Sequence, residues 1–218
     1  MTADKSHVKE LFSHTVIYGL GIVLNKSVNF ILLPVYTKYF HPEQIGLFTL
    51  VQSISLFLGI IYTFGMETSF LKYFIDAENT KSKSEIYSSA ILSLLLTSSV
   101  LSVIVYFTSG SIASLFNFSN FDESLYLLKV LCIVMFVDTL YRFPLLLFRA
   151  ELNTKTYAYI NLFTFAVNII CNIVFIIILK KGVEAIFYCY IISTLSTLIV
   201  GLILTRKYLT LKISFSKV

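Results

Sequence analysis

The chain has 218 residues, of which 57% are hydrophobic and 13% charged, with 20 Phe, 14 Tyr and no Trp. Its mean hydropathy is +0.84, and a soluble domain carries about twice that share of charge. Disorder is excluded because it needs low hydrophobicity; a water-soluble globule is excluded because the apolar residues come in runs of membrane-crossing length.

Six such runs follow one another, at about 15–36, 45–64, 90–107, 125–148, 157–179 and 183–204. Each is long enough to cross a hydrocarbon core at about 1.5 Å per residue, and none shows the short alternation of a barrel strand. The expected fold is therefore all-α: a polytopic membrane bundle of six transmembrane helices. Residues 1–14 are polar and mixed in charge, and the run after them is too long for a signal h-region. They predict an N-terminal cytoplasmic segment leading into an uncleaved first span. The lobe proper covers 15–206, and 207–218 forms a basic cytoplasmic tail.

The connectors carry turn chemistry. His41-Pro42-Glu43 places Pro at the first position of a helix with an acid in its first turn. The second run is expected to continue as helix to about Lys72, and Asp76 to Glu85 reads as a polar, charged loop. Ser109-Gly110-Ser111 and Asn117 to Asp122 read as breaks, and Gly182 separates the last two spans. With the N-terminus inside, eleven of the 17 Lys and Arg fall in inside segments and three, Lys38, Lys180 and Lys181, in outside ones. The positive-inside rule then predicts N-in and C-in. This scatter at span ends explains the net charge of +5 without a nucleic-acid partner, and lipid headgroups are the expected neighbours. Cys132, Cys171 and Cys189 lie within apolar runs, odd in number and without zinc spacing, so they read as packing residues.

Ionisable groups at depth are costly, about 2.5–3.5 kcal/mol each, and need a partner or a wet cavity. Lys26 sits in the middle of the first span between Asn25 and Asn29, which share a face at i, i+4. Two readings stand: Lys26 pairs with an acid of a neighbouring span while the asparagines join helices, or it binds an anion. Asp138 and Arg142 are also i, i+4, and form either a structural ion pair or a held arginine turned to an anionic substrate. Pro34 and Pro144 each remove one helical hydrogen bond and are candidate hinges. Glu67 lies at the end of the second span, as an exposed or Lys-paired residue or a supporting one.

The fifth span carries Tyr157, Asn161, Thr164, Asn168 and Asn172 on one helical face. Lipid cannot satisfy such a stripe, so it faces the bundle interior, as interhelical glue or as the wall of a hydrated path. Gln52, Gly59 and Thr63 form a looser stripe on the second span, and Tyr190, Thr194, Thr197 and Gly201 one on the sixth. No His, Cys, Asp or Glu spacing suggests a metal, and no phosphate loop or nucleophile with a base suggests an enzyme or a cofactor.

Several stretches resemble a known family: Leu33-Pro34-Val35-Tyr36-Thr37-Lys38-Tyr39-Phe40, then Pro42-Glu43-Gln44-Ile45-Gly46, then Gly65-Met66-Glu67-Thr68-Ser69-Phe70-Leu71-Lys72-Tyr73. Phe143-Pro144, Arg149-Ala150-Glu151 and Asn161 continue the pattern. In order and spacing they resemble the polysaccharide-biosynthesis or O-antigen-type oligosaccharide flippases of the multidrug/oligosaccharidyl-lipid/polysaccharide exporter superfamily. The resemblance covers essentially the whole chain. It implies half of a transporter of 12–14 spans in two six-helix lobes, so the chain would be an N-terminal lobe alone. A truncated product, a partial sequence and a lobe completed by another chain all remain open. It further implies an inner bacterial membrane and a polyprenyl-diphosphate-linked oligosaccharide as substrate. Lys26 and Arg142 would then meet the diphosphate, and Asn25, Asn29, Asn161, Asn168 and Asn172 the sugars, with Asp138, Glu67, Thr164 and Gln52 in support. The alternatives are a cation-coupled drug exporter of the same superfamily and a lobe without transport.

Overall fold

A computed structural model describes residues 2–116 and 120–209, with side chains from Thr15 onward. The elements are α1 (Thr2–Tyr39), α2 (Pro42–Thr63), α3 (Met66–Asp76), α4 (Thr80–Leu115), α5 (Phe121–Ala150), α6 (Thr154–Asn172) and α7 (Glu184–Thr205). A π-helical stretch, Ile173–Ile178, extends α6, and a 3-10 turn, Arg206–Tyr208, closes α7. No strand occurs among the described residues. Six helices, with α2 and α3 counted as one, are long and apolar enough to cross a membrane.

Local chemistry sets the boundaries. The amides of Ser82, Glu123 and Thr156 donate to the side-chain oxygens of Asn79, Asn120 and Asn153, so three helices start on asparagine caps. The His41 amide donates to Gln44 Oε1 at 3.2 Å, with Pro42 as the first helical residue of α2. Helix does not run unbroken from the second span to Lys72: Phe64 and Gly65 take left-handed backbone (φ 45° and 69°), and α3 sets off from them.

Helix α4 corrects two expectations. Its first residue, Thr80, lies inside the expected Asp76–Glu85 loop, and it runs through Ser109-Gly110-Ser111 without a break. The Ser109 hydroxyl, which suggested a turn, bonds back to the Tyr106 carbonyl of its own helix at 2.7 Å, as the Ser99 hydroxyl inside the expected span does to the Leu95 carbonyl at 2.6 Å. This back-bonding lets polar side chains ride in an apolar helix. Of the expected break at Asn117–Asp122, residues 117–119 lie outside the described residues, as does the tail from 210 on.

Helix α5 is the centre of the bundle: 72% of its most apolar window is buried, against 22% for α1 and 17% for the α2–α3 span. It packs against α2, α4 and α7. Gly201 lets α7 close on Pro144 of α5, because a Cβ there would stand 2.6 Å from Pro144 Cβ. On the other side α1 leans on α6 and barely touches α2. Asn25 with Asn161 and Tyr36 with Asn172 are both 136 residues apart, so α1 and α6 run parallel in a fixed register. Phe30, Phe57, Ile60 and Phe107 are each more than 70% exposed, which is hydrocarbon-facing surface for a membrane helix.

Candidate functional site

The polar stripe of α6 is turned inward over its whole length, with Tyr157, Asn161, Thr164, Asn168 and Asn172 all buried. Its groups are joined to neighbouring helices. Asn25 Nδ2 donates to Asn161 Oδ1 at 2.6 Å, and the Tyr36 hydroxyl donates to Asn172 Oδ1 at 3.1 Å. The Thr164 and Thr197 hydroxyls lie 2.7 Å apart, binding α6 to α7. Asn172 Nδ2 reaches Asn168 Oδ1 at 2.7 Å, and Asn161 Nδ2 reaches the Tyr157 carbonyl at 2.8 Å. The stripe is thus a seam between α1, α6 and α7. Tyr36 was not among the expected site residues, because it lay at the very end of the first apolar run.

The seam makes a quantitative prediction. Interhelical hydrogen bonds in membranes contribute about 0.6 kcal/mol on average and up to about 1.7. In a double-mutant cycle of Asn25→Ala and Asn161→Ala on unfolding in mixed micelles, the coupling is expected in the upper half of that range, since Asn161 is buried and Asn25 half-buried.

The cations stand differently. Lys26 is exposed on α1 and makes no ion pair among the described residues. The acid partner that one reading required of a neighbouring span is not found among them. Asn29, a turn further on, is also exposed. Lys26 and Asn29 lie beside the seam, one step round α1 from Asn25.

Arg142 is held in place. Its Nε and one terminal nitrogen reach Asp138 Oδ2 at 2.9 and 2.7 Å, along one face of α5. Asp138 is buried, and its other oxygen accepts from the Tyr190 hydroxyl of α7. The guanidinium still has 45% of its side chain exposed, and its far nitrogen lies 3.9 Å from Glu67 Oε1 on α3. Glu67 is therefore neither lysine-paired nor free of the site: it flanks the open edge of Arg142. Tyr190 was visible only as part of the α7 stripe. Gln52 is half-buried on α2.

A cleft of about 230 Å³ opens between α1, α2 and the start of α7. Its walls include Asn29, Phe30, Leu33, Tyr36, Phe48 and Thr49, and neither Lys26 nor Arg142 is among them. The cleft therefore does not join the two cations in one closed pocket. Among the described residues no group of three His, Cys, Asp or Glu gathers to hold a metal.

What the fold and these side chains define is one six-helix lobe of a multi-pass membrane protein, sealed by an internal polar seam and bearing outward cations. The chain belongs to the polysaccharide biosynthesis protein family, whose model matches residues 11–218. No functionally curated protein matches it. Among solved structures it is similar to a multidrug resistance MATE family transporter of the MOP superfamily in an outward-facing conformation. There the identity is 17% over 96% of this chain and 49% of that one, with a TM-score of 0.75. A MATE protein crystallised as a point mutant gives 18% identity over 96% and 50% of the two chains, with a TM-score of 0.76. A MOP superfamily transporter from Pyrococcus furiosus, described as having a binding pocket of reverse polarity, gives 18% over 95% and 47%, with a TM-score of 0.70. The chain therefore has the fold of these transporters and spans about half the length of each.

Proposed function

We propose that the chain is a lobe of a flippase that carries polyprenyl-diphosphate-linked oligosaccharides across a bacterial inner membrane, in the assembly of surface polysaccharides. The observation that carries this reading is the pair of exposed cations on a membrane-embedded lobe, Lys26 without an acid and Arg142 with an open edge. A diphosphate leaving water needs fixed positive charge and N–H donors. Arg142 is pre-oriented by Asp138 and Tyr190, so little order is lost when it meets a phosphate. Glu67 occupies the side of the guanidinium where that phosphate would arrive, and would be displaced by it. Asn29 offers an amide to sugar hydroxyls, while the buried asparagines of α6 keep the lobe rigid behind the site. With a second lobe, rocking about the shared face gives alternating access, and no covalent step is required. N-in and C-in topology, from the positive-inside count, completes the proposal.

The family to which the chain belongs supports the polysaccharide setting. Cation-coupled drug export would call for an acid at depth that is free to bind a proton or cation. Asp138, the buried acid of the described residues, is already bonded to Arg142 and Tyr190.

The test is genetic and chemical together. Loss of the protein should leave lipid-linked oligosaccharide on the cytoplasmic face, scored by its resistance to a periplasmic ligase or glycosidase. The full-length protein should restore access, and Lys26→Arg should restore more of it than Lys26→Ala. Unchanged access without the protein rejects the proposal.

A further inference from the structure

The cleft between α1 and α2 has no part in the mechanism above; Lys26 is not one of its walls but precedes the first of them, Asn29, by three residues on α1. Asn29, Phe30 and Leu33 of its α1 wall follow Lys26 at +3, +4 and +7, so they share one strip of the helix with it. The strip changes character over about two turns: an exposed ammonium, then an exposed amide, then Phe30 at 78% and Leu33 at 44% exposure. Opposite stand Ile45, Phe48 and Thr49 of α2. The cleft exists because α1 is bonded to α6 along the seam and makes few contacts with α2. Tyr36, one of its walls, is buried and tied to Asn172.

We propose that this cleft holds the first isoprene units of the lipid-diphosphate substrate, with the diphosphate against Lys26 and the chain leading off toward the α1–α2 connector. The inference rests on the flippase reading and adds where the hydrocarbon sits and which residues read it. The charge pattern selects the occupant. A free phosphate or sugar phosphate would leave the apolar walls uncovered. A neutral lipid would leave the Lys26 ammonium uncompensated at depth. An anionic group joined directly to a slender apolar chain satisfies both. The volume of about 230 Å³ is below that of drug-sized ligand sites, about 300–1,000 Å³, so it suits a stretch of chain and not a glycan.

The full-length protein in lipid nanodiscs is exposed to a long-chain prenyl diphosphate bearing a diazirine on the isoprene units nearest the diphosphate. A parallel arm uses a diazirine phosphatidylglycerol. Crosslinks to residues 29–49 from the prenyl probe, competed by unlabelled prenyl diphosphate and not by phosphatidylglycerol, are expected. Leu33→Trp and Thr49→Phe fill the cleft from opposite walls at exposed positions. Each should cut this labelling about tenfold and weaken binding of long-chain and two-isoprene geranyl diphosphate alike, leaving the affinity for methyl diphosphate, which has no isoprene unit, within about twofold. Lys26→Ala should weaken all three. Labelling elsewhere, equal labelling by phosphatidylglycerol, or two cleft-filling variants that bind long chains normally would overturn the cleft assignment while the flippase reading stands. No binding of prenyl diphosphate of any length would overturn both.

Discussion

Lys26→Ala is expected to abolish most transport while leaving the fold as stable as before, or more so. Lys26 is exposed and unpaired among the described residues, so its removal breaks no contact, and a midspan cation carries an insertion penalty of about 2.5–3.5 kcal/mol. A hydrogen bond to a charged group contributes about 1.5–3 kcal/mol, which is about a ten- to hundredfold loss in substrate affinity. Opposite signs for stability and activity mark a residue kept for function at a cost in stability. Thermal unfolding in detergent and transport in proteoliposomes check it together. A fall in stability that tracks the fall in transport would return Lys26 to a packing role.

Arg142→Ala should behave in the other way, failing in both measures at once. It strands the carboxylate of Asp138, which is buried and left with Tyr190 as its partner. Removing one member of a fully buried ion pair destabilises by about 3–5 kcal/mol; with 45% of the Arg142 side chain exposed, solvent screening makes the expected loss smaller. Asp138→Asn added to Arg142→Ala removes the stranded charge and should recover most of that stability. Transport should not return, because the guanidinium edge beside Glu67 is gone. Recovery of transport with stability would show that Arg142 serves only to neutralise Asp138. Arg142→Lys, which keeps the charge and loses the planar fork, should fall between.

The contrast between the two cations shows what the sequence could and could not reveal. The Asp138–Arg142 pair was legible, because i, i+4 spacing on a helix dictates the contact. Glu67 and Tyr190 were not legible as its other partners, since they come from α3 and α7 and only the packing of those helices on α5 brings them in. The unpaired state of Lys26 is likewise a property of its neighbours' positions. The α6 stripe was legible as a buried face from its period alone. That it is a seam follows from Asn25, Tyr36 and Thr197, each supplied by another helix in a register no local pattern encodes. Span number followed from apolar run length, but the full length of α4 did not. Thr108, Ser109 and Ser114 lower the hydropathy of its last turns while bonding to carbonyls of their own helix, and hydropathy cannot register that.

The central claim is that the exposed cations of this lobe recognise a diphosphate at the head of a lipid. Equilibrium binding to the full-length protein in nanodiscs tests it most directly, with a prenyl diphosphate, the prenyl alcohol of the same length and a lipophilic organic cation. The diphosphate should bind about a hundredfold tighter than the alcohol, with the advantage lost in Lys26→Ala combined with Arg142→Lys. Equal binding of diphosphate and alcohol, or tighter binding of the organic cation, would contradict it.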